Sequence, residues 1–116
     1  MNNKQVVLDF YRDVFENGNL SKLNHYMRDD YIQHSPEVED HKTGFIKFIN
    51  GFLKMSPRFK ILNISADGNM VYVFFKCTLA NGHVNKVCDI YRMANHKLAE
   101  HWDIIEKNVE SIKSNN

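Results

Sequence analysis

Residues 58–107 read RFKILNISADGNMVYVFFKCTLANGHVNKVCDIYRMANHKLAEHWDIIEK, and this stretch decides the fold. It is rich in β-branched and aromatic residues, and turn signals cut it at Asp67-Gly68, Asn81-Gly82 and Asn95-His96. Apolar runs bounded by such dipeptides are the signature of hairpin-connected strands. The expectation is an antiparallel meander of four main strands at 58–67, 70–80, 83–94 and 97–107. Met70, Tyr72 and Phe74 fall on one face of the second strand, and Val71, Val73 and Phe75 on the other. Both faces are apolar, so the sheet curves around something. One face packs on helices and the other lines a cavity, forms a partner surface, or does both.

Upstream the hydrophobic period changes from two to about 3.6. Val6, Val7, Phe10, Tyr11, Val14 and Phe15 form one stripe of a helix over 4–16, closed by Gly18 as a left-handed cap. A short second helix covers Leu20–Met27. A third runs from a Thr43 cap to Leu53 and stops before Pro57, because a residue preceding proline avoids helical angles. Three N-terminal helices followed by a sheet give an α+β class. Residues 1–110 make one domain and 111–116 a flexible tail.

Composition narrows the function. The chain has 116 residues and carries 15 Lys+Arg against 14 Asp+Glu, a formal charge of +1. That balance offers no cationic excess for phosphate neutralisation, so no nucleic-acid partner is expected. Apolar runs such as Met70–Phe75 are too short to span a bilayer, so no membrane role is expected either. Asp9, Arg12, Asp13 and Glu16 interrupt the first twenty residues, which excludes a secretory core there and points to the cytoplasm. Cys77 and Cys88 then read as free thiols. No HxH, HExxH or carboxylate-rich spacing occurs, so no metal is expected.

Three clusters carry chemistry: Tyr31–Pro36 in the loop after helix two, Asp89–Arg92 on the third strand and Glu100–Asp103 on the fourth. Whether Asp89 and Asp103 share a face depends on the hairpin loop. With a two-residue loop, Asn95-His96, Asp89 faces Trp102 and the acids diverge. With a three-residue loop, Ala94-Asn95-His96, Asp89 faces His101 and lies diagonal to Asp103; this is the expected register. Carboxylates among aromatic side chains are partly desolvated, and neighbouring acids push their titrations apart. Such a group suits proton abstraction beside a carbonyl. The competing interpretation is a salt-bridged strand Asp, with Lys86, Arg92 and Lys97 within reach, beside a structural His.

The stretch Asp89–Asp103, ending Glu100-His101-Trp102-Asp103, resembles the closing hairpin of the SnoaL-like polyketide cyclase family. Tyr31-Ile32-Gln33-His34-Ser35-Pro36 resembles its Tyr-Ile-Gln-His-Asn-Pro segment, and Gly44-Phe45 its third helix. The resemblance implies the nuclear-transport-factor-two-like fold, a curved sheet and long helix forming a cone with an apolar interior, and homodimerisation through the outer sheet face. It implies catalysis without cofactor or metal, with Asp103 as general acid/base; the neighbouring residues of this chain suggest His101 or Asp89 as its assistant. A small apolar molecule in the cone would contact Tyr31, His34, Phe52, Tyr91 and Trp102, with His34 near the mouth. Ser35 departs from the family's Asn, and His96 from the common Gly. Ketosteroid isomerases share that fold and combine an Asp base with a Tyr and a protonated Asp; Tyr91, Tyr31 and Asp89 mimic that set loosely. A non-catalytic binding module and a dimeric interaction domain are the alternative functions.

Overall fold

The computed structural model describes residues 2–107, so the tail expected at 111–116 lies outside the described residues. Helix α1, Asn3–Phe10, starts on the Asn2 side chain, which accepts from Gln5 N–H at 2.8 Å. At Tyr11–Glu16 it widens into π-helical turns, with Asn17 N–H bonding Arg12 O. Tyr11, Asp13, Val14 and Phe15 are all buried in this stretch. Gly18 follows at φ 64, in the left-handed region expected of it. A 3₁₀ turn, Leu20–Lys22, leads into the short helix α2, Leu23–Tyr26.

Strand β1, Met27–Gln33, then occupies a segment expected to be the end of helix two and a loop. It pairs parallel to the last strand, so the sheet has five strands and is mixed, not a four-stranded antiparallel meander. Helix α3, His41–Phe52, is capped by Asp40 and not by Thr43. Asp40 Oδ1 accepts from His41 N–H at 2.8 Å and from Gln33 N–H at 2.7 Å, tying the helix start to the end of β1. Gly44 is required there, because an added Cβ would lie 1.9 Å from the Glu39 carbonyl oxygen.

The remaining strands are β2 (Arg58–Asp67), β3 (Met70–Thr78), β4 (Val84–Ala94) and β5 (Lys97–Glu106), in the order β1-β5-β4-β3-β2. Val71, Val73, Phe75 and Cys77 point to the inner face and join Val7, Phe10, Tyr11, Val14 and Ile49 in one core. Met70, Tyr72 and Phe74 occupy the outer face, where Phe74 is 41% exposed. Helix packing and cavity lining therefore share the inner face, and the outer face is open. No helix among the described residues is long and apolar enough to cross a membrane.

The last hairpin corrects the expected register. Its loop is the two-residue Asn95-His96, with φ 51 and 60, closed by Ala94 opposite Lys97. An extra residue on β5, at Leu98-Ala99, then shifts the pairing, so that Arg92 faces Glu100 and Asp89 faces Asp103. Such a bulge changes which face the later residues occupy. Parity is thus restored after the turn: Asp89, Tyr91, His101 and Asp103 share the inner face although the loop has two residues. His101 faces Tyr91 and is diagonal to Asp89. His96 holds a left-handed conformation that costs a non-glycine residue about 1–2 kcal/mol. His96→Gly is expected to raise stability by about 1 kcal/mol in urea unfolding, with ligand binding unchanged.

A second buried acid, Asp13, lies outside the cavity. It accepts from Arg12 Nε at 3.0 Å and from the Tyr26 hydroxyl, which hold its carboxyl down at about 2, Arg12 most strongly. The folded value lies below the unfolded one, so this contribution is present above about pH 4 and is lost as pH falls through about 2. Asp13→Asn is expected to flatten the fall of stability in that window, measured by chemical unfolding at successive pH values.

Candidate active site

A cavity of about 350 Å³ opens between the inner sheet face, α3 and the segment following β1. Six phenylalanines line it: Phe15, Phe45, Phe48, Phe52, Phe59 and Phe75. They belong to a wider aromatic cluster, in which Phe15 lies edge-on to Phe52 and Phe59, and Phe48 stacks on Phe52 at 5.2 Å. The helical spacing of α3 places Phe45, Phe48 and Phe52 on one face, and the strand period places Phe75 and Cys77 together. Expelling water from such walls favours an apolar occupant.

The polar end is built from residues of β1, β4 and β5 and from the loop after β1. Asp89, Tyr91, His101 and Asp103 meet there across β4 and β5, with Gln33 and Ser35 closing from the other side. His101 Nε2 lies 2.9 Å from Asp89 Oδ1, and His101 Nδ1 lies 2.6 Å from Gln33 Oε1. Asp89 Oδ2 accepts from the Tyr11 hydroxyl, and Tyr91 stands 2.8 Å from Tyr11 and 3.3 Å from Asp89. Burial, and then the Asp89 charge, push the phenols of Tyr11, Tyr31 and Tyr91 well above their ordinary value. Tyr11 and Tyr91 donate to Asp89, whereas the Tyr31 hydroxyl accepts from Gln33 Nε2.

Asp89 and His101 are buried, whereas Asp103 is half-buried and faces the cavity. Burial raises the Asp103 carboxyl above its ordinary value, and the Asp89 charge adds to this. The His101 charge and a hydrogen bond from Ser35 work against it. An acid shifted up in this way exchanges protons more readily near neutrality. At the mouth, Lys107 Nζ pairs with Glu37 at 2.9 Å.

Of the residues expected to bind a ligand, Tyr31, Phe52 and Tyr91 line the cavity, but His34 and Trp102 do not. Trp102 faces Ile90 on the outer side of the sheet, because it alternates with His101 and Asp103. His34 stacks on it at 4.9 Å and 5°, with Nε2 2.6 Å from Glu100. Arg92 holds the other Glu100 oxygen at 2.8 Å. This is an outer-face cluster, not a cavity mouth. Tyr11, Gln33 and Ser35 belong to the inner network but were not among the expected site residues. Gln33 could have been found by parity with Tyr31 had the strand been recognised, whereas Tyr11 is indistinguishable from the apolar stripe around it.

Donor atoms of Asp89, His101 and Asp103 lie within 4.8 Å of one another, a separation that could hold a cation. His101 Nε2 and Asp89 Oδ1 are already bonded to each other, so a metal would have to replace the proton between them.

The sequence profile of the SnoaL-like domain family matches residues 7–101. No functionally curated protein matches the chain. Among solved structures, a SnoaL-like polyketide cyclase from Agrobacterium tumefaciens is similar at a TM-score of 0.77 and 16% identity, over 96% of this chain and 97% of that one. An NTF2-like protein of unknown function from Cytophaga hutchinsonii gives 0.74 and 14%, over 91% of each chain. A hydroxylase candidate, AclR from Streptomyces galilaeus, gives 0.75 and 19%, over 90% and 88%. At these identities the likeness establishes the shared fold, which hosts differing chemistries.

Proposed function

Since the chain belongs to the SnoaL-like family, we propose that it binds a small apolar carbonyl compound in the inner cavity and moves a proton on it, with Asp103 as the general acid/base. The observation that carries this reading is Asp103 itself, a carboxyl raised by burial and facing a phenylalanine-lined cavity. The ionised Asp103 takes a proton from the carbon beside the carbonyl, leaving an enolate. It then returns that proton at another position, or to the oxygen formed when the enolate closes on a second carbonyl. The proton balance closes on Asp103 alone, so the step needs no cofactor or metal. His101, adjacent on the same face, offsets the negative charge that develops. Asp89 acts through His101.

A thermal-shift screen of the wild type against phenols, enones, fatty acids and small lactones tests the binding half. The reading expects stabilisation by carbonyl compounds with flat apolar bodies. Stabilisation by a ligand that is recovered chemically unchanged favours a binding module instead, and no shift with any ligand favours an interaction domain.

A second copy of the chain is proposed as the partner of the outer face. There Phe74, Cys88 and Ile104 are paired across three strands, as are Tyr72, Ile90 and Trp102, and Ile104 is 67% exposed. Sedimentation over a dilution series is expected to give a dimer; a monomer at micromolar concentration contradicts it.

A further inference from the structure

We infer that Gln33 is a positioning residue: it fixes the protons of the His101–Asp89 pair, one on His101 Nδ1 and one between His101 Nε2 and Asp89 Oδ1, so that the pair is an imidazolium facing a carboxylate. The main-chain N–H of Ser35 can only donate, and it lies 2.9 Å from Gln33 Oε1, which identifies that atom as the amide oxygen. The same oxygen lies 2.6 Å from His101 Nδ1, so Nδ1 must carry the hydrogen.

The amide nitrogen is then left toward the Tyr31 hydroxyl, 3.4 Å away. Gln33 is itself held in place, its main-chain N–H bonded to Asp40 at 2.7 Å. At the other end of the ring, a lone pair on Nε2 cannot face a bare carboxylate oxygen at 2.9 Å, so a proton lies between them. Asp89 is the better place for the negative charge. Its Oδ2 already accepts from Tyr11, and Tyr91 stands at 3.3 Å. Its two oxygens therefore accept from separate donors, His101 at Oδ1 and Tyr11 at Oδ2.

The consequence is a division of labour among the three polar strand residues. Both ring nitrogens of His101 and both oxygens of Asp89 are engaged by protein partners, which leaves Asp103 to exchange protons with a ligand. The charged and titratable groups around the ring are Asp89 and Tyr91 from β4, Asp103 from β5, Tyr31 from β1 and Tyr11 from the first helix. Glu37, paired with Lys107, also acts on Asp103 from the mouth. Without Gln33, Nδ1 has no acceptor and releases its proton. The pair then carries a net negative charge beside Asp103. The significance of this for turnover rests on Asp103 being the acid/base, but the protonation pattern does not.

The test is nitrogen NMR of protein labelled at its histidine rings, at neutral pH and without ligand, with His101→Gln identifying the His101 signals. The expected wild-type result is two protonated ring nitrogens on His101. Gln33→Met is expected to leave only Nε2 protonated, and Gln33→Glu, which keeps an acceptor oxygen, to restore both. An unprotonated Nδ1 in the wild type overturns the inference, as does a Gln33→Met spectrum identical to the wild type. Should Gln33→Met fail to fold, the wild-type spectrum decides alone. Because no turnover is measured, failure here is separate from failure of the proposed reaction.

Discussion

Asp103→Asn is expected to lower turnover of a carbonyl ligand by about 10²–10⁴-fold, the range that a positioned proton-transfer group contributes, with ligand affinity and fold retained. The substitution keeps the shape of the side chain and removes only its ability to take and return a proton. Stability supplies an internal control. The folded value of Asp103 is raised, so the protonated form is favoured in the fold and stability is lost as pH rises through that value. At neutral pH, Asn removes this loss. The variant is therefore expected to unfold at the same temperature as the wild type or a higher one. Paired measurements of turnover and melting separate lost chemistry from lost structure.

Asp89→Ala is expected to have the opposite profile. It lies directly across the hairpin from Asp103, yet it is buried and bonded to His101 and Tyr11. Removing its carboxylate leaves the buried His101 ring and the Tyr11 hydroxyl without their acceptor. Breaking a buried charged pair from one side costs about 3–5 kcal/mol. In a domain of this size, each kcal/mol lowers the melting temperature by roughly 4 °C. Denaturant unfolding of Asp89→Ala is thus expected to show a large loss of midpoint, while Asp103→Asn shows none. Similar stability losses in both would mean that Asp103 is as deeply built into the core as Asp89, contrary to its half-exposed position.

The difference between these acids was only partly legible in the sequence. Strand parity brought Asp89, His101 and Asp103 to one face, but through a three-residue loop that the structure replaces with a tight turn and a bulge at Leu98-Ala99. Both routes give the same parity, so alternation alone could not distinguish them. They differ in which residues stand opposite: Asp89 faces Asp103 and Tyr91 faces His101, and Asp89 reaches His101 along the diagonal. The antiparallel strands announced themselves through their turn dipeptides. Strand β1 did not, because Arg28, Asp29 and Asp30 lie on a sheet edge where charge is tolerated. Those charges are satisfied locally, by Arg28 with Asp30 and Lys42 with Asp29, both at 2.8 Å.

Missing β1 also hid the sides of its neighbours. Once Tyr31 and Gln33 are placed on a strand, they face inward, while His34 continues onto the outer face and stacks on Trp102. A tyrosine such as Tyr11, in the middle of an apolar helical stripe, gives no sign in sequence that its hydroxyl reaches a carboxylate 78 residues away. The π-helical turns that begin at Tyr11 have no signature in the composition of Tyr11–Glu16.

The most direct test of Asp103 as the proton carrier is exchange of a ligand's own hydrogen. A carbonyl compound that stabilises the protein is incubated in deuterated buffer with the wild type or with Asp103→Asn, and deuterium at the carbon beside the carbonyl is read by mass spectrometry. The expected result is rapid incorporation with the wild type and incorporation at the buffer rate with the variant. Equal incorporation by the two proteins would contradict the assignment of the reaction to Asp103.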